Sequence, residues 1–120
     1  MTLVLILVGR FLLGAHFAYA GIRNFAHVPL HTSLLEARHV PFARPVLIVG
    51  LLVQVLGGLS VALGILPAVG AAGLIVFVVA ASVLYHDFWA HEGEARTTHL
   101  TAVLTNLALI GGFLLVIALS

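Results

Sequence analysis

The chain contains no cysteine and no lysine, and has only five arginines and four carboxylates among 120 residues. Without cysteine it builds no disulfide framework, no cysteine-ligated zinc or iron–sulfur centre, and no mechanism in which the chain itself cycles a thiol. A formal net charge of +1 supplies neither the basic surface that nucleic acid requires nor an acidic tail. Charged side chains make up 8% of the sequence, against about a quarter in an ordinary soluble domain.

What remains is largely aliphatic. Hydrophobic residues account for 62% of the chain, enough for four runs of about 20 residues, the length that crosses the hydrocarbon core of a bilayer. The runs are 2–22, 45–64, 67–89 and 97–119, and they form a single all-α membrane domain over 1–120. Ala18-Tyr19-Ala20 resembles a signal-peptidase site. No positive segment precedes the first run, however, and Arg10 falls in its middle, so a retained helix is expected. Gly64 is the expected stop of the second span, and Pro67 opens the third after a tight connection. Short connections make neighbouring helices antiparallel, which predicts an up-down four-helix bundle. Gly9, Gly14 and Gly21, with Gly50, Gly57 and Gly58, offer the close backbone approach on which packing in lipid depends.

Residues 23–44 form the one sizeable polar loop, with Arg23, Arg38, Arg44, His27, His31 and His39. Between Pro29 and Pro41, residues 31–39 predict two turns of helix at the membrane surface, capped by Thr32 or Ser33 with Glu36 in the first turn. This loop and the segment 90–96 lie on one side and hold Arg23, Arg38, Arg44 and Arg96. The positive-inside rule places them in the cytoplasm and both termini outside.

All seven histidines fall toward the loop end. His16, His86 and His99 lie at similar depth, on the order of 5–10 Å from the interface at 1.5 Å per residue. Arg10, Gln54, Thr105 and Asn106 come from nearer mid-helix, where an unpaired arginine costs several kcal/mol. His99 and Asn106, seven apart, share a helix face, as do Arg10, Gly14, Phe17 and Gly21. The bland reading is an internal staple of Arg10 with Gln54 and Asn106. The sharper reading is a pocket opening toward the loops. His16, Tyr85, His86, Trp89 and His99 would line it, and Arg10, Gln54 and Asn106 would form its floor. An apolar pocket with a few convergent polar groups suits a quinone headgroup or another small lipophilic molecule.

Other chemistries fit less well. His16 with His86 or His99 would offer axial ligands to haem b, but a lone histidine near a helix end is more often interfacial. His86, Asp87, His91 and Glu92 are suitable metal-ligand types at a spacing that matches no strong motif, and no metal site is assigned. All four carboxylates fall in loops, which argues against a drug–proton antiporter.

Several stretches resemble the DoxX family of small bacterial membrane proteins, over essentially the full length. They are Arg10 with Gly14, Phe17 and Gly21, then Val40-Pro41, and Gly57-Gly58 through Gly64. The most specific are His86-x-Phe88-Trp89 and Asn106-Leu107-Ala108-Leu109-Ile110-Gly111-Gly112. The resemblance implies a four-helix protein of the bacterial cytoplasmic membrane, associated with quinone-linked redox enzymes as a subunit or anchor rather than a catalyst on its own. Family members usually carry Lys at the position of Asn24, Glu at that of Gln54 and Lys at that of Thr105. The chain thus looks to have lost an intramembrane ion pair, leaving Arg10 without its usual acidic partner. The expected partners are membrane lipid and other subunits or further copies of this chain. A purely structural assembly subunit and a small-molecule carrier are the competing readings.

Overall fold

The computed structural model describes residues 1–120. They form α1 (Thr2–Phe25), α2 (Val28–Ala37), α3 (Ala43–Leu63), α4 (Pro67–Tyr85), a 3-10 turn (Phe88–Ala90) and α5 (Gly93–Ala118), with no strand. Four helical segments are long and apolar enough to cross a membrane: Thr2–Phe25, Ala43–Leu63, Pro67–Ala90 and Gly93–Ala118. This is an all-α membrane protein.

Contacts between small residues set the order of the helices. A Cβ on Gly14 would overlap Gly58 and Ala62, and one on Gly58 would come within 2.6 Å of the Ala18 nitrogen. The α1 and α3 backbones therefore touch, the geometry small residues permit in lipid. Gly57 lies against Gly70 and Leu74 in the same way, joining α3 to α4. Val61, Ala71, Leu74 and Phe113 have no exposed surface and centre the larger core. The molecule measures 46 × 31 × 20 Å, wider in one direction than in the other, as a row of helices α1–α3–α4–α5 requires. The row bends so that α1 and α5 also meet, with Phe17 and Phe113 rings 5.2 Å apart and Leu13 against Gly112.

The turn from α3 to α4 follows the expectation. Gly64 is left-handed (φ 71°) and stops α3, and Pro67 occupies the first turn of α4. Leu66 also adopts a left-handed conformation (φ 49°), which costs a non-glycine residue free energy. The Ser60 hydroxyl helps hold it, 2.5 Å from the Ile65 carbonyl and 3.0 Å from that of Leu66.

The loop end differs from the sequence reading at three places. The α2 helix begins at Val28, with His27 at its N-cap and no side-chain cap. Pro29 fixes φ in the first turn, so Thr32 and Ser33 fall inside the helix, where Ser33 bonds back to the Pro29 carbonyl at 3.1 Å. The α4 helix ends at Tyr85, four residues before Trp89, and the chain passes through His86 and Asp87 into the 3-10 turn. The α5 helix starts at Gly93 rather than Thr97, because Gly93 takes a left-handed turn (φ 63°) that lets helix follow at once. The α2 helix also packs inward. Leu35, 2% exposed, joins Ala43, Leu47 and Leu51 in a second core, with Tyr85 and Leu84 against it.

Candidate functional site

Because α2 folds back over the first half of α3, it helps to enclose a cavity of 430 Å³. Phe17 and Asn24 of α1, His31 and Leu35 of α2, and Leu51 and Gln54 of α3 form one side. Phe77, Tyr85 and His86 from α4 and its end, with Asn106 of α5, form the other. Its volume lies in the range of small-molecule sites, and its lining is mostly apolar with a few polar groups.

The polar groups are unequally satisfied. Asn106 donates from Nδ2 to the Ser82 hydroxyl at 2.9 Å and so ties α5 to α4. Gln54 is buried, 4% exposed, and its Oε1 has no hydrogen-bond partner. A buried carbonyl oxygen left unpaired costs about 1–3 kcal/mol, and this one belongs to a residue that lines the cavity. The His31 ring meets Tyr85 edge-on at 5.8 Å, and burial with repulsion from His27 holds the His31 imidazole below its ordinary pKa.

Of the eight residues singled out from sequence, Gln54, Tyr85, His86 and Asn106 line this one cavity. His99 stands behind it, its Nδ1 3.3 Å from Nδ1 of His86. The other three lie elsewhere. His16 is exposed and makes its aromatic contact with Phe17 rather than with His86 or His99. Trp89 is 61% exposed and packs edge-on against Phe88. Arg10 lines a separate 300 Å³ groove with Leu13, Gly112 and Val116. Its guanidinium reaches the turn after α3, where a Cβ on Gly64 would meet Nη2 at 3.3 Å. The Arg10 side chain thus leads away from Gln54 and Asn106, toward the carbonyl-rich end of α3 that favours a cation. The expected staple of Arg10 with Gln54 and Asn106 does not form, and the partner of Asn106 is Ser82.

Asn24 and His31 also line the cavity and were not among the candidates. Asn24 carried a signal, since the family resemblance marks both it and Gln54 as replaced charges, and the two positions share one cavity. Thr105, the third such position, is exposed.

Below the cavity mouth, Asp87 is the centre of a charged cluster. Its Oδ1 lies 2.5 Å from Nη2 of Arg38 and 3.2 Å from Nε2 of His91. The His91 ring stacks on that of His99 at 4.6 Å.

Residues 5–87 match the model of the DoxX family, a stretch running from α1 to Asp87 that leaves α5 and its Asn106–Gly112 run outside it. No curated protein and no solved structure matches the chain. The matched stretch covers more than half of the 120 residues and contains three of the four spans together with most of the cavity wall, so the chain belongs to the DoxX family.

Proposed function

We propose that this chain is a membrane subunit of a quinone-linked redox complex, and that its cavity receives the headgroup of a quinone or a similar lipophilic molecule. The observation that carries the reading is the unpaired Oε1 of Gln54 beside a 430 Å³ cavity. A turn of the Gln54 side chain would present this buried oxygen to a quinol hydroxyl, which donates to it, while Phe77, Leu51 and Phe17 supply apolar walls. Asn24, Tyr85 and His86 add polar groups for a second ring oxygen. This reading assigns the chemistry of the complex to a partner subunit. The loop end faces the cytoplasm in this reading, because Arg23, Arg38, Arg44 and Arg96 outnumber Arg10 at the opposite turn.

The test is extraction of the native protein in mild detergent, mass spectrometry of what accompanies it, and an organic extract analysed for quinones. A stoichiometric quinone together with an oxidoreductase supports the reading. Gln54→Leu keeps the volume and removes the acceptor. It is expected to lower retention of the reduced quinol about tenfold, the cost of one lost buried hydrogen bond, while leaving the helices assembled. Recovery with a partner but an empty cavity would make the chain an anchor. Recovery alone and empty would end the proposal.

A further inference from the structure

Asp87, His91 and His99, between the end of α4 and the second turn of α5, have no part in the cavity reading, and they bring ligand atoms together. Asp87, His91 and His99 each bring a ligand atom to within 4.8 Å of the others. Two distances are shorter. Nε2 of His91 is 3.2 Å from Oδ1 of Asp87, and Nδ1 of His86 is 3.3 Å from Nδ1 of His99. Ligand atoms on a tetrahedral ion with bonds of about 2.0–2.1 Å stand about 3.3 Å apart. Two imidazole nitrogens facing each other at that separation share one proton or one metal ion. From this geometry we infer that Asp87, His91 and His99 form a site for a divalent transition ion of the zinc class, with His86 beside it through its contact to His99.

The donor chemistry agrees. With no cysteine in the chain, the ligands are imidazole nitrogen and carboxylate oxygen, a set that suits Zn²⁺ and its neighbours rather than Ca²⁺ or Mg²⁺. The ligands come from two sides of a chain reversal. Asp87 follows α4, His91 follows the 3-10 turn, and His99 lies in the second turn of α5. An ion here would therefore clamp the connection between the two helices, which the chain otherwise spans with a 3-10 turn alone. Asp87 is 6% exposed.

Arg38 provides a discriminating feature. It meets the same Asp87 oxygen that faces His91, so guanidinium and metal ion compete for one carboxylate. Arg38→Gln and Asp87→Asn both break the same ion pair. If Asp87 is a ligand, they move metal affinity in opposite directions.

The experiment titrates Co²⁺ into untagged, chelator-treated protein in mild detergent and reads visible absorption, with Zn²⁺ then displacing it. One equivalent with the intense bands of a tetrahedral centre is expected. His91→Ala and His99→Ala should each weaken binding about tenfold or more, while His16→Ala, exposed on α1, leaves it unchanged. Arg38→Gln should tighten binding and Asp87→Asn weaken it. Absence of stoichiometric uptake by the wild-type protein overturns the site whatever the variants do. An unchanged spectrum in His99→Ala, or a shift in the same direction for the Arg38 and Asp87 variants, overturns it as well.

Discussion

Arg38, one residue beyond α2, places Nη2 2.5 Å from Oδ1 of Asp87, two residues beyond α4. The pair ties the polar loop to the end of the third span, and it spans 49 positions of sequence. Its Arg38 side chain is 37% exposed, so water screens the attraction and the pair acts more as a positioning device than as a large source of stability. Asp87→Asn keeps the shape and removes the charge. Amide exchange in α2 and the 3-10 turn should accelerate about fivefold, the scale of a part-exposed pair, while α3 remains protected. Exchange that rose equally in every helix would mean that the pair supports the whole bundle.

Glycines of similar appearance have unlike roles. At Gly58 an added Cβ meets the Ala18 nitrogen and the Gly14 carbonyl oxygen, each at 2.6 Å, and backbone cannot move aside as a side chain can. At Gly9 it meets nothing within 4 Å. Gly58→Ala should therefore destabilise the α1–α3 contact by about 1–3 kcal/mol. Gly9→Ala should stabilise α1 by about 0.5–1 kcal/mol through helix propensity. Thermal unfolding in mild detergent measures both, and equal shifts would contradict the packing described here.

The spans, the Gly64 stop and the small-residue seam were legible because each follows from local chemistry: length, turn conformation and side-chain size. The site was legible only in part. Gln54, Tyr85, His86 and Asn106 are polar groups on apolar helices, and cost alone turns them inward, where they meet at one cavity. Asn24 and His31 sit in a stretch that reads as surface loop, and only the return of α2 onto α3 brings His31 to that wall. Arg10 misleads for another reason. Its long side chain carries the charge away from the level of its Cα, so a mid-helix position ends at the Gly64 turn. The Arg38–Asp87 pair was likewise hidden, because its members lie far apart in sequence.

Phe113 is fully buried and its ring meets Phe17 at 5.2 Å, where α1 and α5 come together. In water, Phe→Ala in a core costs about 3–5 kcal/mol, counting both transfer and cavity. Within a bilayer the transfer part largely vanishes, because lipid tails are as apolar as the core. Phe113→Ala is therefore expected to cost about 1–3 kcal/mol, and Phe113→Leu less. Unfolding in detergent titrations gives the values. A loss as large as in a soluble core would show that this part of the bundle is packed against water.

His31 supplies the pH dependence. Burial, and then the neighbouring His27, hold its imidazole below the ordinary value, so the folded protein binds its proton less readily than the unfolded chain does. Where the folded pKa is depressed, stability is complete above the unfolded value, about 6.5, and is lost as pH falls through the folded value. The protonated ring would have to leave its place beside Tyr85, at 5.8 Å, and α2 would loosen with it. Amide exchange in α2 should consequently rise between about pH 7 and pH 5, and His31→Phe, which keeps an aromatic ring against Tyr85, should remove most of that rise. If the His31→Phe protein loosened over the same range as wild type, the titrating group would lie elsewhere.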